Sequence, residues 1–295
     1  MNKRKMRVSF SGGRSSAMML DILLRDYAAE YDMAFTFANT GQEHPKTLDF
    51  IHKCDKHFGL NLVWLEAQIN GPGVGTTHRI VTYETASRNG EPFEAYIKKH
   101  GIPNQKYPQC TTRLKTEPMD HYTKEVLGWK QGEYWTAIGI RADEMDRMNA
   151  KREERKLLYP LIKRFIFKAD VKRFWRGMPF DLEIPEHMGN CTWCWKKSYR
   201  KLMTLAVDEP QVFDFPRRME ALYSGIHKGK GEQETRRVFF RGNTDTQGIF
   251  KLAQKPFVKF TDGLNLNDLE LDFGAGCGDS CEIGTDIDEG DLCPA

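Results

Sequence analysis

The sequence has no apolar run approaching the roughly 20 residues of a membrane-spanning helix. Its opening, MNKRKMRVSF, is basic but has no apolar signal core and no small-residue cleavage site. Together these absences point to a cytoplasmic protein. Cysteine is sparse, seven in 295 residues, and is not spaced as a disulfide scaffold. Thiol or metal chemistry is therefore expected in place of structural staples. Cations are missing from residues 262–295, which hold ten Asp and Glu but no Lys or Arg. The whole chain carries a net charge of +3, so the body before that acidic tail is strongly basic. Residues 145–176 alone hold eleven Lys and Arg against four Asp and Glu. A basic body suits anionic partners, nucleotides or nucleic acid, and a solvated charged face is the plainer reading of the same stretch. No internal repeat is present.

The apolar pattern that remains is α/β. Short strands are expected at Met6–Phe10, Asp32–Ala38, Asn61–Glu66 and Tyr134–Ile140. Helices are expected at Ser15–Tyr27, Lys46–Phe58, Thr111–Leu127, Lys168–Trp175 and Cys191–Val207. Residues 70–109, rich in Gly, Pro and polar groups, read as loops around short helices. The order β-α-β-α-β predicts a Rossmann-like parallel sheet with helices on both faces. A small helical region and the acidic tail follow it. The expected units are a nucleotide-binding domain at 1–205, a helical or irregular extension at 206–261, and the cysteine-containing tail at 262–295.

Between the first strand and the first helix stands Ser11-Gly12-Gly13-Arg14-Ser15-Ser16. Glycines let a backbone approach an anion, and the helix that follows offers unpaired N–H groups and a positive dipole end. Serine hydroxyls add donors, with Ser15 placed to cap the helix. The loop has the makings of an anion cradle but is not a Walker loop, since no Gly-Lys-[Ser/Thr] follows. A plain Gly-rich turn with a serine cap would look the same.

SGGRSSA resembles the pyrophosphate loop of the adenine nucleotide α-hydrolase-like superfamily, and within it the phosphoadenosine phosphosulfate (PAPS) reductase family. NTGQEHPKTLDFI (39–51), CTTRLKTEP (110–118), GIRADE (139–144), YPLI with ADVKRFW (159–162 and 169–175) and GNCTWC (189–194) resemble further segments of that family in the same order. The likeness spans roughly residues 6–205. It implies an enzyme that binds an adenylyl nucleotide, PAPS, APS or ATP, with Mg²⁺ if the substrate is ATP. Ser11, Gly12, Gly13, Ser15 and Ser16 would hold its phosphate or phosphosulfate. Asn39, Thr40 and Gly41 would lie near the adenosine, with Asn39 standing where the family has Asp. Arg141 would add a guanidinium to the anionic end, with a salt bridge to Asp143 or Glu144 as the alternative; Arg14 and Lys115 follow the same logic.

Cys191-Thr-Trp-Cys194 is a C-x-x-C, whose thiolates can share a metal or cluster or form a redox pair. In the related APS reductases a Cys-Cys pair and a distant C-x-x-C hold a [4Fe–4S] cluster. By that resemblance Cys110, Cys191 and Cys194 are the cluster ligands here, while Gln109 replaces the fourth. Zinc and unmetallated thiols are the alternatives. The reductases also use a C-terminal cysteine nucleophile and a thioredoxin-like donor, and are often homodimers. Cys277 and Cys281 are the candidates here, in AGCGDSCEIG where the family has Glu-Cys-Gly. An ATP pyrophosphatase delivering sulfur to a nucleic acid or small molecule, and a nucleotide-binding regulator without catalysis, are competing readings. Cys54, the histidines 44, 52, 57 and 121 and the tryptophans read as packing or surface residues.

Overall fold

The structure is a computed structural model that describes residues 3–225 and 236–262. The strands are β1 (Arg4–Ser9), β2 (Tyr31–Asn39), β3 (Val63–Gln68), β4 (Thr77–Val81), β5 (Tyr134–Ala137) and β6 (Leu157–Leu158). They form one sheet in the order β4-β3-β2-β1-β5-β6. All neighbours are parallel except β3 and β4, which run antiparallel. The antiparallel edge strand lies inside the stretch expected to be loop. Its sequence THRIV has polar and exposed positions, so no apolar run announced it.

The helices are α1 (Arg14–Asp26), α2 (Pro45–Phe58), α3 (Glu91–His100), α4 (Glu117–Glu125), α5 (Pro160–Lys163), α6 (Lys168–Arg176), α7 (Tyr199–Asp208), α8 (Asp214–Tyr223) and α9 (Thr246–Ala253). Alternation along the strands assigns the two sheet faces. Met6, Val8, Phe35, Phe37 and Trp64 enter the large core shared with α1, α2 and α6. Ala38 and Leu65 pack on the other face against Met119 and Tyr122 of α4. Helices therefore cover both faces. Phe213, Met219, Phe239 and Ile249 join the large core, so the region after residue 206 packs with the sheet domain.

Two local departures matter for the site. A π-helical turn, Thr112–Thr116, precedes α4. Pro118 has no N–H to give to the carbonyl four residues back, which loosens the ladder at that turn. The C-x-x-C segment is a turn and not the start of a helix. Ser198 caps α7 by accepting the Lys201 N–H, and Asn190 holds a left-handed φ of 59° just before Cys191. No helix among the described residues is long and apolar enough to cross a membrane.

Candidate active site

In the sheet order β1 has β2 on one side and β5 on the other, so the crossovers reverse at its C-terminal end. A crevice opens at such a point, and here the Ser11–Ser16 loop fills its rim. Gly12 sits at φ +83°, and a Cβ there would stand 2.7 Å from Ile51 Cδ1 of α2. Glycine is thus required both by conformation and by the packing of α2. The N-cap of α1 is Gly13, not Ser15, and no side chain caps the helix. The first-turn N–H groups are left for an outside acceptor. Ser11 and Ser16 hydroxyls share a hydrogen bond of 2.8 Å, and Ser16 also donates to the Gly13 carbonyl at 3.0 Å. Trp175 of α6 donates its indole N–H to the Arg14 carbonyl at 2.9 Å and fixes the loop from behind.

The loop forms one wall of a solvent-open cleft, whose other walls include Arg141, Lys168, Lys172, Glu186 and Asn190. Arg141 is buried and lines the cleft, and its guanidinium pairs with both Asp143 and Glu144, the alternative that the sequence offered. Its Nη1 donates to Ser15 Oγ at 3.1 Å, while Nε and Nη2 donate to Asp143 at 3.0 and 3.1 Å. Glu144 adds a salt bridge at 3.3 Å. Carboxylates thus fix the guanidinium beside the loop. Arg14 lines the cleft, but its guanidinium is turned to Asp181, at 2.7 and 3.0 Å, and to the Leu182 carbonyl. Lys168 and Lys172, one turn apart on α6, both pair with Glu186, at 2.5 and 3.4 Å.

Asn39, Thr40 and Gly41 do not line this cleft. Asn39 is fully buried and donates to Glu66 Oε1 at 2.7 Å and to the Ser87 carbonyl at 2.9 Å. Its Oδ1 accepts the Gly41 N–H at 3.2 Å. Glu66, also buried, accepts from Ser87 N at 2.6 Å and pairs with Arg79. A second carboxylate at position 39 would face Glu66 in the interior, which accounts for asparagine here. Asn39→Asp is expected to lower stability by about 3 kcal/mol at neutral pH. Adding Glu66→Gln should restore most of it. Two facing carboxylates hold a proton more tightly when folded than unfolded, so the deficit shrinks as pH falls from 7 toward 5. Urea titrations of both variants across that range check the sign.

A second, smaller cavity is lined by all three predicted ligand cysteines, Cys110, Cys191 and Cys194, with Thr40, Lys115, Asn190 and Trp195 among its other walls. Residues 42–43 hold the C-x-x-C turn. Glu43 and Cys191 form a β-bridge, the Gln42 carbonyl accepts Thr192 N at 3.2 Å, and Gln42 Oε1 accepts the Trp193 indole N–H at 2.5 Å. Thr40 Oγ1 lies 3.5 Å from Cys191 Sγ. Lys115 belongs to this cavity and not to the phosphate cleft; it is buried and pairs with Glu43 at 3.7 Å. Burial, aided by Glu43, pushes the Cys191 thiol well above its ordinary range, while Lys115 pulls it down. Trp195 keeps a buried indole N–H with no acceptor. Among the described residues no three His, Cys, Asp or Glu side chains converge on a single-ion position.

Asn190 lines both cavities, so the C-x-x-C turn stands on the loop's side of the sheet. Cys277 and Cys281 lie outside the described residues. Sequence reasoning did not single out Glu66, Glu43, Asn190 or the Lys168/Lys172 pair for the site; only the last has a sequence signal, two lysines four apart on an expected helix.

The chain is similar to several known proteins. The phosphoadenosine phosphosulfate reductase domain family matches residues 5–79. The nin region protein ORF290 of Escherichia phage lambda, itself uncharacterized, is 34% identical over 282 residues, covering 94% of this chain and 94% of that protein. An uncharacterized protein of Methanocaldococcus jannaschii is 26% identical over 154 residues, 52% of this chain and 26% of its own length. Among solved structures, the crystal structure of phosphoadenylyl-sulfate (PAPS) reductase from Candida auris in a phosphate complex aligns over 60% of this chain and 74% of that one, with a TM-score of 0.36 and 17% identity.

Proposed function

This chain belongs to the phosphoadenosine phosphosulfate reductase-like family, and from that premise we propose an enzyme of sulfonucleotide reduction. The cleft takes the anionic end of an adenylyl nucleotide, and sulfur chemistry runs beside it. The observation that carries the reading is the meeting of two chambers at Asn190: a donor-lined cleft and a cavity walled by three thiols.

In this reading the uncapped N–H groups of α1, the Ser11, Ser15 and Ser16 hydroxyls and the Arg141 guanidinium hold the phosphosulfate. Charge-assisted hydrogen bonds from fixed donors orient it without reorganisation. The nucleophile is the thiol of Cys277 or Cys281. Asp262 supports this placement. Its carboxylate accepts the Glu186 N–H at 3.1 Å and its carbonyl accepts from Lys172 at 3.0 Å, so the chain leaves residue 262 at the rim of the cleft. The thiolate attacks the sulfonate sulfur, an S–S bond forms, and the S–O bond to the nucleotide breaks. A dithiol donor, such as a thioredoxin-like protein, then releases sulfite and leaves with its own sulfurs oxidised.

Cys110, Cys191 and Cys194 would hold a [4Fe–4S] cluster. What supports the fit is that all three cysteines line one cavity, together with Trp195, whose buried indole N–H lacks an acceptor. When bound, such a cluster would supply a redox-capable wall next to the nucleotide. Three thiols leave one coordination position without a cysteine, and that favours a second reading: an ATP pyrophosphatase that delivers sulfur to an activated acceptor, with Mg²⁺ at the phosphates.

Sulfite release from PAPS and APS in the presence of a dithiol, measured beside AMP formation from ATP, separates the two. The primary reading expects sulfite from a sulfonucleotide and no AMP from ATP. AMP formation from ATP without sulfite would overturn it in favour of the second.

A further inference from the structure

Beside the cleft, the corner between α5 and α6 exposes two large aromatic side chains. Phe165 is 70% and Phe167 47% exposed. Phe165 also holds a left-handed φ of 53°, which a bulky side chain adopts only under strain. Hydrogen bonds hold it there: Phe165 N to the Ile162 carbonyl, Ile166 N to the Leu161 carbonyl, and Ala142 N to the Ile166 carbonyl, each 2.9 Å. The last of these ties the corner to the residue after Arg141. The strain thus presents an aromatic ring to solvent at the edge of the site.

The surrounding charge is mostly positive. Residues 163–176 carry six Lys and Arg and a single acid, Asp170. Lys163, Arg164, Arg173 and Arg176 are exposed, and Lys168 lines the cleft. Arg164 pairs with Asp26 and Arg173 with Asp170. Such exposed pairs contribute little, so a polyanion can displace the carboxylates.

We propose that this corner docks a single-stranded nucleic acid. Bases stack on Phe165 and Phe167, and phosphates follow Lys163, Arg164, Arg173 and Arg176 toward Lys168 at the cleft. Unpaired bases offer both faces to an aromatic ring, and a duplex does not. The cation surplus favours a polyphosphate over a protein surface. The inference does not depend on which nucleotide fills the cleft.

The test is fluorescence anisotropy of a labelled single-stranded DNA of about 20 nucleotides, which spans more than one stacking site, against the full chain, with the matching duplex in parallel. Binding is expected at low salt and should weaken steeply, tenfold or more, between about 50 and 200 mM salt. Phe165→Ala and Phe167→Ala should each weaken single-strand binding about five- to tenfold. Phe165→Gly carries a second readout. It removes the ring but suits the left-handed backbone, so binding should fall while the melting temperature rises; a purely structural phenylalanine would lower the melting temperature. Absence of single-strand binding at low salt, preference for the duplex, or unchanged affinity in a variant combining Phe165→Ala with Phe167→Ala would overturn the proposal. So would capture of a thioredoxin-like protein on this face without oligonucleotide binding.

Discussion

Cys191→Ser protein purified without oxygen is expected to contain neither iron nor acid-labile sulfide, and the unmutated chain is expected to contain both. Serine keeps the size of the side chain but is a poor iron ligand, so the change isolates coordination from packing. Cys191 is suited to this test because its place is fixed by its β-bridge to Glu43 and by its contact with Thr40. Cys110→Ser and Cys194→Ser should behave alike, since both thiols line the same cavity. Cys54→Ser is the control. That cysteine is buried inside α2, where burial drives its thiol far above the ordinary range, and it stands apart from the cavity. Its variant should keep the full iron content. Iron and sulfide measurements, read beside the visible absorption spectrum, decide the matter. Equal content in Cys191→Ser and unmutated protein, or none in either, would remove the cluster from the proposed function and leave the nucleotide cleft standing.

Gly139→Val is expected to weaken nucleotide binding more than tenfold and to lower the melting temperature. A Cβ at position 139 would lie 2.7 Å from Ser16 Cα and 3.1 Å from Ser16 N. These are backbone atoms of the first turn of α1, and they cannot swing aside as a side-chain end can. The turn that offers its N–H groups to the cleft must therefore move. Overpacking of this kind costs about 1–3 kcal/mol. For a domain of this size that lowers the melting temperature by about 2–4 °C per kcal/mol. Gly177→Ala is the comparison, because a Cβ there meets nothing closer than the Phe174 carbonyl at 3.5 Å. Calorimetric titration with an adenine nucleotide and a thermal melt measure both effects. If Gly139→Val binds nucleotide as the unmutated chain does, the first turn of α1 is not the anion-binding element.

The first crossover was legible in the sequence because a short strand, two glycines and a helical apolar stripe stand next to one another. The same local signals located the C-x-x-C turn, but they extended its helix too far: the left-handed Asn190 and the cap at Ser198 act over single residues that periodicity averages away. The edge strand β4 was hidden because its pairing with β3 is made by the backbone, while its side chains are mixed, with Arg79 and Ile80 exposed and only Val81 buried. Charges were easy to find and hard to assign. Arg14 read as a phosphate ligand, yet its guanidinium partner, Asp181, lies 167 residues away. Lys115 read as a cleft residue, and it is Glu43, on another element, that draws it to the thiol cavity. The asparagine at 39 was visible as a departure from the family pattern, while its reason, Glu66, sits on the next strand. Local propensity and composition are written along the chain; partner choice between distant elements is set by topology.

Asn190 borders both chambers with a single left-handed residue. A ligand in either chamber would touch that one residue. Were its position to differ between the filled and empty states of one chamber, the shape offered in the other would change with it, and thermodynamic reciprocity would make the two influences equal in size.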